Sequence, residues 1–276
     1  MSLFITSLNS GSNGNCYYIG NYNEAVLIDA GISCRETEIR MKRLGLSMSR
    51  VKAIFISHEH ADHISGIAVL SKKYQLPVYI TPATLRSGGI KIEKQLIKNF
   101  SSQKSVSIGS LTVTAFTKHH DASDPHSFLV SGNEVTIGVF TDIGTGCKEV
   151  IRHFKKCHAA FLEANYCDDM LANGTYPYFL KQRISSDTGH LSNNQALDLF
   201  VKHRSRYLTH LILSHLSENN NSPKLVNKLF KEKAGETNII VASRLKETPV
   251  YYISKKPQKT FTRKNDKSSQ LQLSLF

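Results

Sequence analysis

The sequence predicts a layered α/β fold in which two β-sheets are covered by helices. Two patterns predict it. Strand-like apolar segments dominate the first half, whereas strand and helix patterns alternate in the second. A chain of 276 residues that is 40% hydrophobic can also bury a substantial core, as one large domain or two small ones.

The elements follow in order. Residues 3–8 form a strand that runs into the turn-rich stretch 9–15, Asn9-Ser10-Gly11-Ser12-Asn13-Gly14-Asn15. Strands are expected at 16–19 and 25–29, joined near Gly20-Asn21. Residues 35–45 have helical spacing, with Ile39, Met41 and Leu44 apolar and Gly45 as the stop. A buried strand at 51–57 ends on a histidine cluster, a helix follows over 64–74, and a strand lies at 78–80. Further strands are expected at 111–116, 128–130, 136–140, 159–162, 211–213 and 238–242, and helices at 192–204 and 222–233. No internal repeat is visible in the sequence. One folded domain is read over 1–253 and a basic, flexible tail over 254–276.

Composition narrows the class. The N-terminus has no basic region and meets polar residues too early for a signal peptide, and no apolar run approaches the ~18 residues of a membrane helix. The expected setting is the cytoplasm, with no membrane partner. Cys16, Cys34, Cys147, Cys157 and Cys167 are odd in number and contain no Cys-x-x-Cys pair, so neither a disulfide framework nor a zinc knuckle is expected. The net charge is +13, of which the tail carries +5, and charge spread over both parts suits a polyanionic partner such as nucleic acid.

The chemistry is concentrated in Ser57-His58-Glu59-His60-Ala61-Asp62-His63. Neutral imidazole and carboxylate bind zinc, manganese or iron, and a loop at a strand's end lets such donors converge. His58 and His60 can take one ion, while Asp62 and His63 reach a second.

His58-x-His60-x-Asp62-His63 resembles the signature of the metallo-β-lactamase superfamily, which implies an αββα four-layer sandwich. The resemblance implies that Asp29, in Leu27-Ile28-Asp29-Ala30-Gly31, supports the metal loop. It further implies that His58, His60 and His120 hold one divalent ion and Asp62, His63 and His215 the other, with Asp142 bridging. His119 adjoins His120, and the string His-Asp-Ala favours His120. His153, His158, His203 and His210 match no motif and read as core or surface histidines.

The match narrows to the YycJ/WalJ family of bacterial DNA exonucleases. It rests on Gly11-Ser12-Asn13-Gly14-Asn15, Leu27-Ile28-Asp29-Ala30-Gly31, His120-Asp121-Ala122, Glu163-Ala164-Asn165, Gly189-His190-Leu191-Ser192-Asn193 and Leu213-Ser214-His215-Leu216-Ser217-Glu218-Asn219-Asn220. One departure is Pro125-His126-Ser127-Phe128, where Gly is expected before the aromatic, so His126 stands as a further substrate contact. No cysteine occupies a ligand position, and the chain lacks both the large inserted domain of RNase J-like nucleases and the long arm of tRNase Z.

The family implies attack on a phosphodiester by a hydroxide that two cations generate. Catalysis is assigned to Asp62, His190 and Glu163, with His190 donating a proton to the leaving oxygen and Glu163 orienting it. The alternative for His190 is a helix-start histidine, because Ser192 and Asn193 have capping chemistry. Ser12, Asn13 and Ser192 are weaker candidates for substrate phosphate, and a plain tight turn explains Ser12 and Asn13 equally well. The expected activity is duplex-DNA exonuclease, 5′ to 3′. The alternative is a small-molecule hydrolase of the same fold, a cyclic phosphodiesterase or thioester hydrolase. The apolar ending Gln272-Leu273-Ser274-Leu275-Phe276 resembles the peptide that tethers bacterial DNA enzymes to the polymerase sliding clamp. Gln272, Leu273, Leu275 and Phe276 are its expected contacts. The alternative is a strand docked on its own domain.

Overall fold

A computed structural model describes residues 2–255, so the clamp-like peptide lies outside the described residues. The first half runs β1 (Leu3–Asn9), β2 (Cys16–Gly20), β3 (Ala25–Ile28), α1 (Cys34–Arg43), β4 (Val51–Phe55), α2 (Ala61–Ile64), α3 (Ile67–Tyr74), β5 (Val78–Tyr79), α4 (Pro82–Ser87) and β6 (Ile97–Lys98). The second half begins with β7 (Ser105–Ile108), β8 (Leu111–Thr117), β9 (His126–Gly132), β10 (Val135–Phe140), α5 (Lys148–Phe154) and β11 (Ala159–Glu163). It continues with α6 (Asp168–Asn173), α7 (Tyr178–Ile184), α8 (Asn193–His203), β12 (His210–Ser214), α9 (Pro223–Lys231), β13 (Asn238–Val241) and β14 (Tyr251–Ile253).

Side chains alternate along the strands, and this period of two builds the layers. Ile5, Tyr17, Ile19, Val26 and Ile28 meet Val113, Phe128, Ile137, Val139, Phe161 and Ile212 between the sheets. Their neighbours point outward. Tyr18, Leu27 and Ile54 pack under Met41 of α1 and Leu70 of α3. Phe140, Leu162 and Leu213 pack under Phe154 of α5, Phe200 of α8 and Phe230 of α9. The order helix, sheet, sheet, helix is the four-layer sandwich that the sequence leads one to expect.

Each sheet has seven strands, in the orders β14-β1-β2-β3-β4-β5-β6 and β13-β12-β11-β10-β9-β8-β7. In both, antiparallel pairing gives way to parallel pairing, at β3–β4 and at β10–β11. The loops leaving the C-terminal ends of these parallel strands line one rim of the sandwich. That rim carries the functional residues.

The expected helix over 64–74 is broken. Gly66 donates its N–H to the Ala30 carbonyl at 2.8 Å, and a Cβ there would lie 1.9 Å from the Ile32 carbonyl oxygen. The chain therefore pivots between α2 and α3. Gly45 does stop α1, at φ +68°, with the Leu46 N–H returning to the Met41 carbonyl at 2.9 Å. Among the described residues no helix is long and apolar enough to cross a membrane. The five cysteines are free, and Cys16, Cys34 and Cys157 are buried.

Candidate metal centre and active site

The histidine loop is fixed from below by Asp29. This residue follows β3 in the left-handed region, at φ 62°. Its Oδ1 accepts the Ser57 N–H at 2.8 Å, while Oδ2 accepts the Ser57 hydroxyl at 2.9 Å and the His63 Nδ1–H at 2.7 Å. All three residues are buried, and these bonds offset the desolvation of the carboxylate. They also turn His63 Nε2 towards the centre. Asn15 braces the same loop. Its side-chain amide donates to Asp62 Oδ2 at 3.0 Å and its backbone N–H to the Asp62 carbonyl at 2.7 Å.

The second sheet brings the remaining groups one at a time. Asp142 after β10 and His215 after β12 both adopt left-handed backbone, at φ 54° and φ 56°. Such non-glycine conformations cost about 1–3 kcal/mol each and cluster where function over-determines them. Glu163, the last residue of β11, accepts from His190 Nδ1 at 2.8 Å and from His215 Nδ1 at 3.0 Å through Oε1. Its Oε2 takes the Ile143 and Leu191 N–H groups at 2.7 and 3.2 Å. His120 donates from Nδ1 to the Gly189 carbonyl at 3.1 Å. Each bond leaves the other ring nitrogen for the cavity.

Two donor sets result. His60 Nδ1 lies 3.1 Å from His58 Nε2 and 3.3 Å from His120 Nε2. Asp62 Oδ2 lies 3.4 Å from His63 Nε2 and 3.3 Å from His215 Nε2. Asp142 stands between them, with Oδ2 at 3.2 Å from His63 Nε2 and Oδ1 at 3.4 Å from His215 Nε2 and 4.0 Å from His120 Nε2. Donors at ~2.1 Å from one tetrahedral ion lie roughly 3.4 Å apart, so these separations fit metal binding. Asp142 Oδ2 is buried and forms no regular hydrogen bond, with His63 Nε2 3.2 Å away. A bare buried carboxylate oxygen calls for a cation.

The β-lactamase superfamily domain is matched over residues 24–215. Over 242 residues the chain is 34% identical to the exodeoxyribonuclease YycJ of Bacillus anthracis, covering 84% of this chain and 91% of that one. The chain belongs to the YycJ/WalJ family of the metallo-β-lactamase superfamily. The exodeoxyribonuclease WalJ of Streptococcus pneumoniae is 29% identical over 239 residues, 84% of this chain and 88% of the relative. The fold is shared with the metallo-β-lactamase-fold protein YhfI from Bacillus subtilis, at a TM-score of 0.72 and 16% identity, over 91% and 100% of the two chains.

The electrostatics suit a metal-dependent hydrolase of this superfamily. Burial pushes His58 well below its ordinary range and His120 down to about 4, which keeps both imidazoles in the neutral, ligating form. Burial also opposes charge on His215, yet Asp142, Asp62 and Glu163 together push it up to about 10. Burial works against Asp62 too, but His63 and His215 beside it hold its carboxyl below the usual range. Negative charge is concentrated at this point, and a cation entering here displaces protons.

The expected residues divide by position. Ser12, His60, Asp62, Asp142, His190 and His215 line a cavity of about 180 Å³. His58, His63 and His120 are buried behind them. His119 is exposed, and its carbonyl accepts the Gly144 N–H at 2.8 Å. Asn13 does not line the cavity; its amide donates to the Arg244 carbonyl at 2.8 Å. Ser192 is buried and caps α8, so its hydroxyl is not presented to a phosphate in the cavity. His126 is also buried, bonded to the Asp124 carbonyl at 2.9 Å with its ring edge-on to Phe100, and it does not line the cavity. His153 stacks on Phe116 within the second half, which is a core role.

Sequence reasoning missed several residues. Arg183 and Asp121 line the cavity and form an ion pair of 2.6 Å; Arg183 has no motif to mark it, whereas the available signal for Asp121 was its place in His120-Asp121-Ala122. Lys118 is buried and donates to the Thr141 carbonyl at 2.7 Å, directly before Asp142. Asn165 donates to the His215 carbonyl at 2.8 Å; its place in Glu163-Ala164-Asn165 was the available signal.

Proposed function

We propose that the protein is a cytoplasmic DNA exonuclease that shortens duplex ends, 5′ to 3′, with two divalent cations in its cavity. One observation carries the chemistry: Asp142, with a bare buried oxygen, stands between two sets of converging donors. The substrate class is supported by the relatives' names and by a net charge of +13. His58, His60 and His120 would hold one cation and Asp62, His63 and His215 the other, with Asp142 shared. Zinc, manganese and iron all suit these donors. Bound there, the cations would lower the pKa of a water towards neutrality and neutralise charge on a phosphodiester.

The chain's own residues complete the reaction. Glu163 accepts the Nδ1–H of His190 at 2.8 Å and orients the ring, with Nε2 as the atom that delivers a proton to the leaving oxygen. Asp62 is both ligand and catalytic carboxylate. Ser12 stands at the cavity wall for the substrate phosphate.

End-labelled duplex incubated with Mn²⁺ or Zn²⁺ should be shortened progressively. His190→Ala should keep its metals and lose roughly 10²–10⁴-fold in rate. Metal loss in that variant would make His190 a ligand instead. Duplex left untouched while a cyclic nucleotide or thioester is turned over would replace this reading with a small-molecule hydrolase.

The peptide at 272–276 extends the proposal to the sliding clamp, with Leu273, Leu275 and Phe276 as apolar anchors and Gln272 as a directional contact. Deleting it should abolish binding to purified clamp in fluorescence anisotropy and spare activity on short DNA. Equal clamp affinity for the full-length and truncated proteins would reject it.

A further inference from the structure

Helix α7 is a wall between two cavities. Leu180, Arg183 and Ile184 face the metal cavity. Tyr178, Lys181, Gln182 and Ser185 face a second cavity of about 430 Å³, closed on its far side by Tyr166, Asp168, Leu171 and Ala172 of the α6 region. Residues three and four apart share a stripe of a helix, so the two sets occupy different stripes. A helix with its side chains is about 10 Å across, which places the second cavity within reach of neighbouring nucleotides on one strand.

The lining chemistry selects the occupant. Tyr178 and Tyr166 supply aromatic walls and Leu171 an apolar one, while Gln182 and Asp168 offer an amide and a carboxylate. Lys181, the one cation among the lining residues, donates to the Ala172 carbonyl at 2.7 Å. Its charge is matched by the Asp168 carboxylate, so the lining carries no net positive charge to draw a phosphate. A flat, polar-edged aromatic group fits it. The volume lies within the roughly 300–1,000 Å³ of small-molecule sites. Tyr178 and its neighbour Phe179 are 77% and 73% exposed, an apolar cost at the active-site margin that stacking would recover.

We infer that the cavity between α6 and α7 takes up an unpaired base of the strand whose phosphodiester lies in the metal cavity. This rests on the nuclease reading above and adds to it how a strand end is held. The base enters edge first, stacks on Tyr178, and presents its polar edge to Gln182 and Asp168. Phosphates stay outside, along the outer edge of α7. The subsite favours ends that are already single-stranded, because a paired base must first be unstacked.

The test uses the full chain with Mn²⁺ and a duplex bearing a single-stranded overhang that carries 2-aminopurine near its end. The chain contains no Trp, so its own fluorescence interferes little. The unsubstituted protein should quench the 2-aminopurine on binding. Tyr178→Ala should lose the quench and raise KM roughly 5- to 150-fold, with kcat little changed. Tyr178→Phe, which keeps the ring, should restore both. Because Tyr178 is exposed, neither variant should perturb the fold, and metal content verifies this. If the unsubstituted protein cuts DNA and Tyr178→Ala matches it in KM and quench, the base subsite is overturned and the nuclease reading stands. If the unsubstituted protein neither cuts the overhang DNA nor quenches the probe, both fall.

Discussion

Asp29 and Asp142 occupy matching places in the two sheets. Each follows the strand at which antiparallel pairing turns parallel, β3 in one and β10 in the other, and each has left-handed backbone. Both are almost completely buried. Their surroundings differ. Three donors from Ser57 and His63 converge on Asp29, so both its oxygens are bonded. Asp142 keeps Oδ2 bare and faces the donors of both sets. One backbone device thus presents a carboxylate twice, and the partners decide its work. A carboxylate with its oxygens bonded shapes a site, whereas one with a bare oxygen awaits a ligand.

Substitution can break this contrast. The largest effect is expected from Asp142→Ala, which should lose at least one cation per chain and activity on the order of 10³-fold or more. Elemental analysis and initial rates measure both. A variant that retained two ions and full activity would sink the bridging role. Asp29→Asn should act more gently and through the fold. An amide offers one acceptor where three donors converge, so stability should fall by about 1.5–3 kcal/mol in urea titrations. Metal affinity should weaken roughly 10–100-fold through the misaligned His63. If Asp29→Asn instead matched Asp142→Ala in activity while leaving stability intact, the two carboxylates would not differ as argued.

The same physics decides what was legible in the sequence. His58, His60, Asp62 and His63 fall within six consecutive residues after an apolar strand, so their density alone marks them. His120, Asp142 and His215 are solitary, and only strand ends and family strings set them apart from other histidines and aspartates. Strand and helix patterns pointed to two sheets covered by helices, and the family resemblance implied the four-layer order. Helix α7 escaped because it has seven residues and none of them is buried, so the single pair Leu180 and Ile184 gives too short a 3.6-residue signal. The short strands β6 and β14 hold two and three residues, too few for alternation to declare itself. The break at Gly66 is set by its contact with Ala30, and local periodicity carries no trace of that contact.

The smallest effect separates α7 from the helix that follows it. Where α7 faces two cavities, α8 turns Ala196, Leu199 and Phe200 into the outer core and begins directly after the active-site turn. Ser192 starts it with a capping box. Its hydroxyl accepts the Gln195 N–H at 3.2 Å, and the Gln195 side chain accepts the Ser192 N–H at 2.8 Å. The Asn193 N–H is satisfied by the Tyr166 carbonyl at 2.7 Å, so the first turn leaves little for a substrate. Ser192→Ala should therefore cost about 1 kcal/mol, a fall of about 2–4 °C in Tm for a domain of this size, with DNA affinity and kcat/KM essentially unchanged. Ser192→Asp, a good cap, should recover the Tm, because its carboxylate can accept the same N–H. At the same position a new negative charge would weaken DNA binding if the hydroxyl touched phosphate. Differential scanning calorimetry beside DNA titrations of the two variants reads both quantities. Unchanged Tm with a tenfold loss of DNA affinity in Ser192→Ala would move Ser192 from the helix start into the substrate site.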